Sequence, residues 1–403
     1  MRQGSSVQLA ENKDVATSIA GLPVICFSHL RWDFVYQRPQ HLLSRFARRH
    51  PVVFIEEPIF EDVAAPELRR SRRGEGLEVC VPVLPHGLSE SGKVHAQREL
   101  LDARLAEFAG LGRIFWYYTP MALLFSRHLH ADVVVFDSMD ELSAFKGAPP
   151  ELLALEEELM LRADVVFTGG HSLFEAKKHR HDNIHVFPSS IDAAHFGRGR
   201  EPGRRDPEDQ AGLPRPRLGF FGVIDERFDC DLLKAVAAAK PDWSFVMVGP
   251  VVKIDPADLP QAPNIHWIGA RSYQDLPDYI GGWDVGFMPF ALNESTRFIS
   301  PTKTPEFLAA GVPVVSTAVN DVVRSYGEDG FVRIAGDAAS VVSVAQSLME
   351  MDRGPWLEKV DRKLAHTSWD STFAEIYAHV AAAAGALGDA LSEPASTREA
   401  VNV

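Results

Sequence analysis

Ser300-Pro301-Thr302-Lys303-Thr304-Pro305-Glu306-Phe307-Leu308-Ala309-Ala310-Gly311-Val312-Pro313-Val314-Val315-Ser316 decides how this chain is read. Upstream of it, Val285–Phe290 is a short apolar run that reads as a buried strand, and a polar loop follows. A helix is then expected to begin near Ser300 or Thr302. Its first backbone N–H groups have no partner within the helix and point beyond the strand end. Lys303 falls in the first turn, where the helix dipole and an ammonium both favour a phosphate. Glu306 falls one turn deeper and can accept hydrogen bonds from a ribose diol. Gly311 ends the helix and Pro313 opens the next strand. On spacing alone, an ordinary helix with a Lys303–Glu306 pair at i,i+3 stays open.

The same alternation of apolar strings and amphipathic stretches extends in both directions. Before this segment, Leu218–Phe221, Ser244–Val248 and Ile265–Ile268 read as strands, with helices over Cys230–Ala239 and Tyr273–Ile280. Further upstream, Pro23–Ser28, Val52–Ile55, Leu77–Val83, Arg113–Tyr117, Asp132–Phe136, Asp164–Thr168 and Ile184–Phe187 read as strands. Helices are expected at Gln37–Arg49, Ser91–Phe108, Met121–His128, Glu151–Arg162 and Ser172–His179. Continuously apolar strands between helices imply parallel sheets covered on both faces. A stretch of Gly, Pro, Arg and Asp interrupts the pattern and reads as a linker. The predicted plan is a flexible extension at 1–20, an α/β domain at 21–196, a linker at 197–216 and a second α/β domain at 217–365. A helix at 366–392 and a flexible tail at 393–403 follow.

With 403 residues the chain is too long for one ordinary core and right for two domains. Its net charge of −14 argues against a general nucleic-acid binder. The charge is uneven: residues 1–217 carry 27 basic and 30 acidic groups, residues 218–403 carry 14 and 25. Two arginine clusters, Arg45/Arg48/Arg49 and Arg69/Arg70/Arg72/Arg73, read as solvated helix faces or loops, or as a surface for an anionic lipid or acceptor. No apolar run reaches the roughly 20 residues of a membrane span. Three scattered cysteines make neither a disulfide framework nor a zinc pattern, so a reducing cytoplasm is the expected compartment.

Ligands of open parallel sheets bind beyond the carboxyl ends of the strands. After the first strand come His29, Arg31, Trp32, Arg38 and His41, dense in cations and aromatics. No G-x-G-x-x-G is present, which removes the main support for a dinucleotide oxidoreductase. Asp137-Ser138-Met139-Asp140-Glu141 follows another strand. Ser138 and Asp140 are expected to cap a helix, whereas Asp137 is expected to face the cleft. In the second half, Gly222 permits close backbone approach, Arg227 offers a guanidinium to an anion, and Gly249 marks a further strand-end turn.

The string SPTKTPEFLAAGVPVVST (Ser300–Thr317), with ADVVFTGGHSLFEAKK (Ala163–Lys178), NIHVFPSSID (Asn183–Asp192), RLGFFGVIDERFD (Arg217–Asp229) and FVMVGP (Phe245–Pro250), resembles nucleotide-sugar glycosyltransferases of the GT-B fold. The group is the family-four-like set of bacterial glycan enzymes. WDFVYQRPQHLLSRFA (Trp32–Ala47) and DSMDELSAF (Asp137–Phe145) look like a subgroup of polysaccharide and teichuronic-acid-type transferases. The resemblance covers about residues 22–380.

It implies two Rossmann-like, doubly wound parallel-sheet domains facing a cleft, with a C-terminal helix crossing back to the first. Donor nucleotide is expected on Glu306, Lys303, Arg227, Gly222, Gly249, Ser300 and Thr302, with Glu306 at the ribose and Lys303 and Arg227 at the diphosphate. Catalytic groups are expected to be Lys303, Arg227, Asp137 and His29, and the acceptor cleft Arg31, Trp32, Arg38 and His41. Many relatives carry an acid eight residues before the ribose glutamate; here that position is Phe298, so Glu294 or backbone groups of Phe298–Ser300 are expected at the sugar.

The implied reaction moves a sugar from a nucleotide-diphosphate sugar to a glycan or lipid-linked acceptor in cell-surface polysaccharide synthesis, with retention and without metal or cofactor. Peripheral contact with the inner membrane face is expected if the acceptor is lipid-linked. The alternatives are a degenerate sugar-nucleotide-binding protein and a sugar-nucleotide epimerase.

Overall fold

The computed structural model describes residues 19–392; the first eighteen residues and the expected tail at 393–403 lie outside them. Ile19, counted with the N-terminal extension above, is buried in the first core.

The first sheet contains β1 (Val24–Phe27), β2 (Val52–Ile55), β3 (Ile59–Glu61), β4 (Glu67–Arg72), β5 (Leu77–Pro85), β6 (Ile114–Tyr117), β7 (Val133–Ser138), β8 (Val165–Thr168) and β9 (Ile184–Val186). They lie in the order β3-β5-β2-β1-β6-β7-β8-β9, all parallel, with β4 added antiparallel on β5. The second sheet is β10 (Arg217–Phe221), β11 (Ser244–Val248), β12 (Ile265–Gly269), β13 (Val285–Met288), β14 (Val314–Ser316) and β15 (Val332–Ile334). Its order, β12-β11-β10-β13-β14-β15, is the doubly wound arrangement. Strands such as β1, β2, β6, β10 and β11 are buried along their whole length, which is why they read as unbroken apolar strings. The direction in which successive strands are added reverses at β1/β6 in one sheet and at β10/β13 in the other, so each sheet opens a crevice there.

Helices cover both faces. On one face of the first sheet lies α1 (Arg38–Phe46), burying Leu42, Leu43 and Phe46. The opposite face is covered by α2 (Glu90–Leu105) and α3 (Leu152–Arg162). The next helix, α4 (His171–Lys177), follows β8. In the second domain α5 (Cys230–Ala239), α6 (Lys303–Ala309), α7 (Ala338–Glu350) and α8 (Arg353–Leu364) surround the sheet. Finally α9 (Trp369–Ser392) returns to the first domain, where Trp369, Phe373, Ile376, Tyr377 and Val380 join the core beside α1. Burial of each such side chain is worth about 1.5–3 kcal/mol, so this helix is firmly docked.

Three local expectations change. Arg69–Arg73 is neither helix nor loop, because most of it forms the antiparallel edge strand β4. Three of its four cations are paired there: Arg69 with Glu61, Arg70 with Glu78 and Glu107, and Arg73 with Asp33. Pairing offsets part of the charge that would draw an anionic surface. The polar stretch 197–216 is packed rather than free. Gln210 is fully buried, accepts from the Trp283 indole at 2.7 Å and donates to the Tyr279 carbonyl at 3.0 Å. Met121–His128 shortens to a turn at Pro120–Ala122 and one helical turn at Leu123–Ser126.

Candidate functional site

Loops at the carboxyl ends of both sheets enclose a cavity of about 500 Å³ between the domains. The second domain supplies its charged floor. Phe307 anchors α6: it packs edge-on to Phe221 at 5.0 Å and lies over Gly286 of β13, where a β-carbon would be 2.7 Å from the ring. With that anchor set, Lys303 and Glu306 emerge on the cavity side.

Lys303 runs across the end of β10. Its amine lies 5.4 Å from the Phe220 ring centroid and 5.8 Å from that of Phe290, and it makes no ion pair among the described residues. Burial, then Arg227, pull the amine down to about 8, opposed by Glu306, Asp225 and Asp140. Glu306 is also buried and its carboxyl is pushed up by burial, with Lys303 opposing. Arg227 is held by Asp225, its Nε 2.9 and 3.1 Å from the two carboxylate oxygens, and it lies over the Phe145 ring of the first domain at 5.2 Å. Two cations and the glutamate thus converge on one cavity.

Glycine is required where these loops meet. Gly222 and Gly249 both have positive φ, and a β-carbon on Gly249 would stand 1.9 Å from the Gly222 carbonyl oxygen. This lets the β10 and β11 loops touch backbone to backbone beneath the cavity.

The first domain forms the opposite wall through Trp32, Tyr36, Arg38, Met139 and Asp140. Gln40 shapes this wall by donating to the Trp32 carbonyl at 2.7 Å and accepting from the Gln37 amide at 3.0 Å. The domains also touch directly. Asp321 of the second accepts from the Ser172 amide at 2.9 Å and from its hydroxyl at the start of α4.

Residues 215–351 match the family model described as glycosyl transferases group 1. A Bacillus subtilis (strain 168) protein named for teichuronic acid biosynthesis, the glycosyltransferase TuaH, is 25% identical over 280 residues, 65% of this chain and 70% of that one. The fold is similar to sucrose-phosphate synthase from Thermosynechococcus elongatus, with a TM-score of 0.62 at 15% identity, covering 92% of this chain and 99% of that one. It is similar also to Anabaena HepE, solved in complex with UDP and glucose, with a TM-score of 0.59 at 13% identity over 92% and 99% of the two chains. Residues 215–351 are thus those of a group 1 glycosyl transferase, and the chain as a whole has the GT-B fold.

In this transferase the cavity brings together Lys303, Glu306, Arg227, Gly222, Gly249, Ser300, Thr302, Trp32 and Arg38. Four other candidates lie elsewhere. Asp137 does not face the cleft: it is fully buried within β7 and binds Arg38, whose Nε is 3.0 and 2.9 Å from its two oxygens. Arg38 is thereby also spent on structure, donating its remaining reach to the Phe187 carbonyl at 2.8 Å. His29 lies beside the Tyr118 backbone, and burial lowers its pKa to about 4; its Nδ1 has no partner among the described residues. Arg31 turns to the β2 end, bonding Glu56 at 3.0 Å and the Pro58 carbonyl at 3.2 Å. His41 stacks flat on Trp369 at 4.4 Å, joining α1 to α9 instead of reaching substrate.

Asp140, expected at a helix cap, is the carboxylate that the transferase turns into the cavity. Burial raises its pKa, while Arg227, Lys303 and Arg38 pull it back. Nothing in the spacing of Asp137 and Asp140 tells which one points inward; the strand continues one residue past Asp137 and reverses the choice. Glu294 is exposed on a separate outer groove shared with Phe298, so neither reaches the donor cavity. Ser300 and Ile299 line the cavity where that loop passes.

Among the described residues, no three His, Cys, Asp or Glu side chains converge so as to hold a metal ion. No helix among them is long and apolar enough to cross a membrane.

Proposed function

We propose that the protein transfers a sugar from a nucleotide-diphosphate sugar to a glycan or lipid-linked acceptor, with retention and without a metal, in the synthesis of a cell-surface polysaccharide. The observation that carries this reading is the convergence of Lys303, Arg227 and Glu306 in one interdomain cavity. As the glycosidic bond breaks, negative charge grows on the leaving diphosphate, and Lys303 and Arg227 are the cations aimed at it. Glu306 takes the ribose. Asp140, on the opposite wall, accepts a hydrogen bond from the incoming acceptor hydroxyl. The relative named for teichuronic acid biosynthesis supports the polysaccharide assignment. A lipid-linked acceptor would bring the protein to the inner membrane face as a peripheral visitor.

A second reading has one observation behind it. Position 298 is phenylalanine on the outer groove, so that loop offers the sugar no acid. A sugar-nucleotide-binding protein without turnover would fit this.

The test is a thermal-shift panel of UDP, GDP, dTDP, ADP and CMP on wild type and Lys303→Ala. Ligand at about 100 times Kd stabilises by about 2.7 kcal/mol. A shift with one nucleoside diphosphate that is lost in the variant supports the donor site, and no shift with any of them overturns it. Release of nucleoside diphosphate from its sugar conjugate, stimulated by acceptor glycan, separates the transferase from the silent binder.

A further inference from the structure

Tyr273 stands in the turn after β12 and lines the same cavity as Glu306. Its ring is held by two aromatic neighbours. His195 stacks on it at 4.3 Å and 7°, and Tyr36 of the first domain, which also lines the cavity, meets it at 4.8 Å and a tilt of 35°. His195 is itself fixed by an Nε2 contact of 2.9 Å to the Tyr273 carbonyl oxygen. A ring so constrained has its hydroxyl placed with little freedom to turn away.

That hydroxyl is buried and has no hydrogen-bond partner among the described residues. Buried polar groups are nearly always paired, so an orphan in a ligand cavity calls for an occupant. Burial, and next the charge of Glu306, raise the phenol's pKa, so it remains an O–H donor at neutral pH and lies within the field of that carboxylate. The Glu306 carboxylate likewise makes no hydrogen bond to a described residue. Tyr273 and Glu306 line one cavity, so an unpaired donor and an unpaired acceptor belong to the same site. A phosphate would be repelled by Glu306. A hydroxyl that donates to Glu306 and accepts from Tyr273 satisfies both.

We propose that the Tyr273 hydroxyl is a second ribose-binding group of the donor site, donating to a sugar hydroxyl whose own proton is held by Glu306. This rests on the nucleotide-sugar reading above. Tyr36 then makes the first domain part of the donor's enclosure.

The experiment uses the full-length protein and the nucleoside diphosphate that gives the largest shift in the panel, with its 2′-deoxy and 3′-deoxy forms. Affinities are measured by calorimetry on wild type, Tyr273→Phe, Glu306→Gln and the double variant. Wild type is expected to prefer the ribo form to at least one deoxy form by about tenfold. Tyr273→Phe keeps the stacked ring. It should lose most of that preference, and the double variant should lose less than the two single losses combined. Without ligand, Tyr273→Phe should melt no lower than wild type, because only an unpaired hydroxyl is removed; a purely structural tyrosine would show the reverse pattern. Unchanged ribose preference in Tyr273→Phe overturns the inference and leaves the nucleotide-sugar reading standing. Failure of every nucleoside diphosphate to bind wild type overturns both.

Discussion

The Lys303 side chain occupies the space that a β-carbon on residue 222 would need: its Cε is 2.2 Å and its Nζ 2.6 Å from that position. Gly222 thus works as half of a socket for the amine, and its φ of +120° would strain any other residue as well. Gly222→Ala is expected to displace the amine and lose turnover to a similar degree as Lys303→Ala. Because both changes remove one group from one place, the double variant should be little worse than either single one. Steady-state kinetics on the three variants checks this; additive losses would separate the two residues.

Lys303→Ala itself should reduce turnover by about 10²–10³, the usual loss for one preorganised charge-stabilising contact. Its melting temperature should stay near that of wild type, since the amine makes no ion pair among the described residues and is held out of water. Wild-type turnover in this variant would sink the assignment.

Asp137 is expected to behave as a structural residue. It and Arg38 are 0% and 2% exposed, so Asp137→Asn leaves a buried guanidinium without its counter-charge. Breaking one side of such a pair costs about 3–5 kcal/mol. Denaturant unfolding should show that loss, with the acceptor KM of the remaining folded protein unchanged. A normal midpoint with altered acceptor kinetics would return Asp137 to the active site.

Asp321 ties the domains together through Ser172. Asp321→Ala should leave nucleotide affinity unchanged, since Asp321 does not line the cavity. Turnover should fall several-fold and small-angle scattering should give a larger radius of gyration. An unchanged radius would show that other contacts hold the domains.

His41 makes stability depend on pH. Burial, then Arg45 and His195, lower its pKa from 6.5 to about 3. The folded state holds it neutral, whereas the unfolded chain takes up a proton below about 6.5. Its contribution is complete above pH 6.5 and is lost as pH falls from there toward 3. His29 and His50, also lowered, act with the same sign. His41→Phe keeps the stack on Trp369, so unfolding free energies measured between pH 7 and 5 should slope less steeply than in wild type. Equal slopes would refute the role.

Much of the fold is legible in local pattern because parallel strands buried on both faces must be apolar without interruption, as in VVVF at Val133–Phe136. The weakest places are those where burial is partial. β4 reads Glu67-Leu68-Arg69-Arg70-Ser71-Arg72, with no regular alternation, because it is an exposed edge strand whose charges meet both neighbouring strands and water. Gln210 is a polar residue in a polar stretch, and only the indole of Trp283 explains its burial.

The sequence by itself determined that two doubly wound domains follow one another, and that Lys303 and Glu306 share one face of a short helix at a strand end. Those properties depend on spacing along the chain, and 3.6 residues per turn is enough to set them. Which carboxylate of Asp137 and Asp140 enters the cavity, that Arg38 is consumed by the core, and that Tyr273 meets Tyr36 across the cleft were decided only by tertiary structure. Each depends on residues more than thirty positions apart being brought within contact, and no local rule carries that information.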